Sequence, residues 1–96
     1  MAEDLEPLRA RIDEIDAAII RLLGERFTHV RLLGRWKALA NLPVENKERE
    51  NHLRALYLAA AQRESLDPAL VLKLFEVVLE HSKAEQRGQG KRPKTA

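Results

Sequence analysis

One unbroken helical period of apolar residues constrains this chain more than any other feature. Leu5, Leu8, Ile12, Ile15, Ile19, Leu22, Leu23, Val30 and Leu33 recur at helical spacing, with no proline between Pro7 and Pro43. Gly24 and Gly34 cost about 1 kcal/mol each against alanine, too little to break a helix that packing supports. Glycine also lets two helices approach closely. The spacing predicts a single helix over about residues 4–40, closed by Asn41, Leu42 and Pro43. At about 1.5 Å per residue that helix is about 55 Å long, whereas a compact monomer of this size has a diameter of roughly 30–35 Å. The apolar stripe runs through both halves, so something must cover it. A second copy of the chain is the economical cover, and the expected architecture is an interlocked helical homodimer. A monomeric bundle whose first helix bends at Gly24 or Gly34 is the alternative.

Two further helices follow. One is expected over about residues 45–63, with Leu53, Leu56, Tyr57 and Ala60 on its apolar side. Asp67 is a good N-cap and Pro68 a good first helical residue for the next, in which Leu72, Phe75, Leu79 and Ser82 share a line. No strand pattern survives anywhere, so the fold class is all-α, with three helices per chain and a long first one.

Composition narrows the function. Apolar residues make up 45% and charged residues 33%, which suits one globular domain of 96 residues. The absence of cysteine removes disulfides, thiolate metal sites and cysteine nucleophiles. The opening MAEDLEPL is acidic and has no apolar signal core, and no apolar run approaches the roughly 18 residues of a membrane span. A soluble, cytoplasmic protein is expected. The basic residues Arg87, Lys91, Arg92 and Lys94 cluster at the end; without them, 13 basic residues face 15 acidic ones, which argues against a nucleic-acid partner. We therefore expect a helical domain over residues 1–87 and a disordered basic tail over 88–96.

The apolar lines carry polar intruders. On a helical wheel with Ile19 at zero, Val30 falls at about +20°, Arg26 at about −20°, Leu33 at about −40° and Lys37 at about 0°. Both cations thus lie at the centre of the stripe, where unpaired charge is expensive to bury. Snorkelling of their long stems toward water would explain one such cation near a helix end more readily than two in line. In the second helix Asn46, Arg49 and Glu50 precede Leu53 on one face, and in the third Ser82 and Gln86 extend the line of Leu79. Each group alone fits a solvated helix end. Together they describe a pocket for a small, multiply charged anion with hydroxyl groups. Ser82 has no His–Asp support, and His29, His52 and His81 lack metal-ligand spacing, so no metal or cofactor is expected and the site acts by positioning and electrostatics.

Across about residues 5–87 the chain resembles the all-α (AroQ-type) chorismate mutases, through LRARIDEIDAAIIRLLGER, GRWK, LPVENKERE and LFEVVLEHSKAEQ. The family's site residues match, without a gap, Arg9, Arg26, Lys37, Arg49, Glu50, Ser82 and Gln86. Arg11 competes with Arg9 for the first position, and only spacing favours Arg9. Asn46 departs from the aspartate of the best-known members, which bears on fine substrate preference. Arg9 and Arg26 are about 25 Å apart on a straight helix, too far to grip one small molecule from one chain. In the family the first arginine reaches the partner's site, which makes the dimer part of the catalyst.

The resemblance implies the Claisen rearrangement of chorismate to prephenate in aromatic amino acid biosynthesis, with no cofactor. It assigns the substrate carboxylates to Arg26, Arg49 and the partner's Arg9, helped by Ser82. Glu50 takes the ring hydroxyl, and Lys37 and Gln86 donate to the ether oxygen. Two rivals share the fold, an isochorismate-pyruvate lyase of salicylate synthesis and an aminodeoxychorismate mutase. A non-catalytic helical dimer is a third reading of different class.

Overall fold

A computed structural model describes residues 2–91 as three helices: α1 (Ala2–Leu39), α2 (Lys47–Arg63) and α3 (Pro68–Lys91). No strand occurs among the described residues, in line with the all-α expectation. α1 spans 38 residues without a break, and the longest dimension of the molecule is 58 Å. A straight helix of that many residues, rising about 1.5 Å for each, accounts for nearly all of it, so neither Gly24 nor Gly34 is a kink.

The helix ends follow from local chemistry. Asn41 adopts φ 59°, a left-handed conformation that asparagine tolerates, and ends α1. There the Asn41 amide donates to the Ala38 carbonyl (3.2 Å) and the Leu42 amide to that of Lys37 (2.8 Å). Ser65, at φ 56°, ends α2 in the same way, its amide donating to Gln62 and that of Leu66 to Ala61. Asn46 caps the start of α2 by accepting from the Arg49 amide at 3.0 Å. Asp67 accepts from the Ala69 amide at 3.0 Å ahead of Pro68.

α3 is the hub. It packs on α1 and on α2, while the backbones of α1 and α2 do not come within 8 Å (Cα–Cα) of each other among the described residues. Val30, Ala61, Val71 and Val78 form the small buried core. The line expected to be buried in α3, Leu72, Phe75 and Leu79, is only half-buried and faces α2 and the cavities between the helices. Val71 and Val78, one residue back, are the apolar positions of α3 that are buried. Phe75 stacks on Tyr57 of α2 with ring centroids 4.1 Å apart.

Two expectations differ from the fold, one at the end of α3 and one within α2. α3 continues to Lys91, so residues 88–91 are helical and do not belong to a disordered tail. The reason is tertiary. Gly34 lies against Gln86 so closely that a Cβ on Gly34 would sit 2.7 Å from the Gln86 Cα, and one on Gly90 would meet the Ala38 Cβ at 3.6 Å. α3 therefore runs along α1 to the end of α1, and packing overrides the low helix propensity of Gly88 and Gly90. The rest of the expected tail, residues 92–96, lies outside the described residues. The second correction is Leu56, placed on the apolar side of α2 but 49% exposed within the chain.

Candidate active site

Where α1, α2 and α3 come together, a cavity of about 310 Å³ opens between them. Its walls include Arg26, Val30, Leu33 and Lys37 from α1, Asn46, Arg49, Glu50 and Leu53 around the start of α2, and Phe75, Leu79, Ser82 and Gln86 from α3. Seven of the eight residues singled out from the sequence thus share one cavity: Arg26, Lys37, Asn46, Arg49, Glu50, Ser82 and Gln86. The eighth, Arg9, lies elsewhere. Its side chain is 66% exposed and bonded to Glu6 at 3.4 Å, and its rival Arg11 is equally exposed, paired with Glu14 at 3.0 Å.

Lys37 is the best-anchored cation. Its ammonium donates to the Val44 carbonyl at 2.9 Å and to Gln86 Oε1 at 2.8 Å. An ammonium has three protons, so one remains for a ligand. Because lysine can only donate, the bond fixes the Gln86 amide with its oxygen toward Lys37 and its NH2 free to donate to a ligand. Partial burial lowers the pKa of Lys37 from its ordinary 10.5.

Arg26 is held by a relay. The guanidinium donates to Ser82 Oγ at 2.6 Å, and the Ser82 hydroxyl donates to the Val78 carbonyl one turn back at 2.7 Å. Ser82 is 3% exposed and its single proton is already committed, so it orients Arg26. Asn46 likewise has a structural duty as the cap of α2, and the cap delivers Arg49 and Glu50 to the cavity mouth from the first turn. Asparagine and aspartate cap about equally well, so the departure from aspartate at 46 leaves this local structure intact.

The cavity residues Val44, Glu45 and Lys83 escaped the sequence reading, and Tyr57 was expected only on the apolar side of α2. Tyr57 supplies an aromatic wall. Lys83, directly after Ser82, is only 18% exposed and lies 3.4 Å from Glu50, 3.3 Å from Glu80 and 3.9 Å from Glu45. The hydrogen bond to Glu80, with the nearby charge of Glu50, holds its pKa above the ordinary lysine value. The available signal was its place four residues after Leu79, on the cavity side of α3.

A cluster of Arg, Lys and amide donors in a mostly apolar cleft, with the carboxylates of Glu45 and Glu50 at one side, can bind and orient a small dianion without covalent chemistry. Comparison with known proteins says which kind. The family model for chorismate mutase type II matches residues 8–87. The chain belongs to that family. It is 30% identical over 87 residues to the chorismate mutase of Methanocaldococcus jannaschii, an alignment covering 91% of this chain and 88% of that protein. It also resembles two bifunctional chorismate mutase/prephenate dehydratases. With that of Aquifex aeolicus it shares 45% identity over 51 residues, and with that of Escherichia coli 29% over 80. Those stretches amount to 14% and 21% of the two larger proteins, and to 53% and 83% of this chain. The chain is thus a member of an enzyme family whose activity is chorismate mutase.

Proposed function

We propose that the cavity between the three helices rearranges chorismate to prephenate, and that it does so only in an interlocked homodimer. The observation that carries the site assignment is the Lys37–Gln86 bond of 2.8 Å, which holds two donors side by side in a cleft also walled by Arg26 and Arg49. The reaction breaks a C–O bond as a C–C bond forms within one molecule, so no nucleophile or proton transfer is needed. What lowers the barrier is selection of the compact conformer and stabilisation of the charge growing on the ether oxygen. Lys37 and Gln86 donate to that oxygen. Arg26, oriented by Ser82, and Arg49 hold the carboxylates, and Glu50 accepts from the ring hydroxyl.

Two observations support the dimer. Leu5, Leu8, Ile12, Ile15, Ile19 and Leu22 are all 43–62% exposed along the first half of α1. The radius of gyration is 17.4 Å, against about 12 Å for a compact chain of this length. A second copy laid along that stripe would cover it. It would also bring an arginine to the cavity that Arg9 of the same chain cannot reach, being about 25 Å from Arg26 along the helix.

Lys37→Ala and Arg9→Ala test both parts together. Each variant alone should lose turnover of chorismate, by about a hundredfold or more for Lys37, while remaining folded and dimeric. Mixing the two inactive proteins under conditions that exchange subunits should restore part of the activity, because one site of each mixed dimer has every group intact. Near wild-type activity of Lys37→Ala would sink the mechanism; no recovery on mixing would sink the shared site.

A further inference from the structure

One partly buried charge has no part in this chemistry. Lys83 reaches from α3 to the start of α2, and its ammonium stands among three carboxylates at the edge of the cavity: Glu45, Glu50 and Glu80. Of these, Glu50 is the one assigned to the ring hydroxyl, so this inference rests on that assignment. Lys83 bonds Glu50 through Oε1 at 3.4 Å, which leaves Oε2 free to accept. Glu45 also lines the cavity and carries a second negative charge to the same corner.

We propose that Lys83 is a specificity-determining residue, which holds Glu50 in place and sets the cavity to accept a neutral hydroxyl over an ammonium at the ring position Glu50 meets. The physical reason is charge balance. A hydroxyl needs one well-placed acceptor and brings no charge. An amine at the same ring position is protonated at neutral pH and gains from every unpaired carboxylate nearby. With Lys83 present, Glu50 and Glu45 are already partnered and the incoming ammonium meets a like charge. Without Lys83, two carboxylates stand open beside the same ring position, and an ammonium becomes the better match. The distinction falls between chorismate and its 4-amino-4-deoxy analogue. These two share the carboxylates and the ether oxygen, so the contributions of Arg26, Arg49 and Lys37 cancel when the two substrates are compared.

The test is kcat/KM for chorismate and for 4-amino-4-deoxychorismate in the wild type, Lys83→Met, Lys83→Arg and Glu50→Gln. Lys83→Met keeps most of the aliphatic stem and removes the charge, and circular dichroism with gel filtration checks that it is folded and unchanged in size. Removing a charged hydrogen bond of this kind should shift the amine-to-hydroxyl ratio of kcat/KM by about tenfold or more toward the amine. Lys83→Arg should keep the ratio near that of the wild type. A merely structural loss in Lys83→Met would lower both substrates alike and leave the ratio unchanged, which would overturn the proposal. Glu50→Gln separates this from the underlying reading. If it turns over chorismate as the wild type does, the assignment of Glu50 is what fails; if it is impaired while Lys83→Met leaves the ratio unmoved, only the role of Lys83 fails.

Discussion

The two halves of α1 invert the usual rule of what lies inside. Its C-terminal half is clasped by α3, and there Arg26 and Lys37 are half-buried beside Val30 at 8% exposure. Its N-terminal half has no cover within the chain, and there Ile12, Ile15 and Ile19 are 43–55% exposed. Cations are turned in and isoleucines turned out along one helix. The first half is tolerable because each cation finds acceptors: Val44 and Gln86 for Lys37, Ser82 for Arg26. The second fits the proposed dimer, in which a second copy covers the exposed stripe. In that dimer one helix serves its own cavity at one end and a partner at the other, and the proposed active site and the dimer become a single structural problem.

The sharpest way to break this comparison is Ile12→Glu. On an isolated chain, a substitution at a site 55% exposed should change stability by no more than about half a kcal/mol. Under a covered stripe it buries a carboxylate against apolar surface, at a cost of several kcal/mol per dimer. We expect loss of the dimer, read by sedimentation equilibrium, and loss of activity with it. A folded, active and dimeric Ile12→Glu would show that the stripe is not the interface.

The two glycines sharpen the comparison at smaller scale. Gly24→Ala and Gly34→Ala are the same change in the same helix. A Cβ added at Gly24 would meet nothing within 4 Å, so alanine should stabilise by up to about 1 kcal/mol through helix propensity. At Gly34 an added Cβ would be 2.7 Å from the Cα and 3.0 Å from the carbonyl oxygen of Gln86, backbone atoms that cannot swing aside. Overpacking of this kind costs about 1–3 kcal/mol, outweighing the propensity gain. Since Gln86 is also the partner of Lys37, we expect Gly34→Ala to lower both the midpoint of thermal unfolding and kcat/KM, and Gly24→Ala to raise the midpoint alone. Equal effects of the two would mean that the close approach of Gln86 to Gly34 does not set the two positions apart.

How much of this was legible beforehand depends on the range of the interaction. The continuous α1, the cap at Asp67 and the stop at Asn41 follow from residues within one or two turns of each other, and the sequence carries them directly, whereas Asn46 was read only as a site residue and not as the cap of α2. The misplaced cations were visible because a helical period is visible. Register between helices was not. Leu72 and Leu79 are stronger apolar signals than Val71 and Val78, but which line faces α1 is decided by the approach of Gly34 to Gln86, a contact 52 residues apart. The same approach carries α3 through Gly88 and Gly90, which read locally as a helix end. Lys83 had only its place four residues after Leu79 to mark it, because its partner Glu50 lies 33 residues away. Arg9 was reached only through family resemblance, since the chain by itself leaves that residue in solvent.

The smallest expected effect concerns pH, and it has two opposite signs. Burial lowers the pKa of Lys37 below its ordinary 10.5, while the ammonium form is the better donor to the ether oxygen. As pH rises through the lowered value the free enzyme loses that donor, so the alkaline limb of kcat/KM should fall below pH 10.5. The stability contribution of the same residue runs the other way. Between the lowered value and 10.5 the unfolded chain binds the proton and the folded one does not, so stability rises with pH across that window. Unfolding would drag activity and stability down together, whereas titration of Lys37 separates them. Lys37→Arg, whose guanidinium keeps its charge throughout, supplies the control. Its residual activity, however reduced, should show no alkaline limb in that window, and persistence of the limb in Lys37→Arg would assign it to another group.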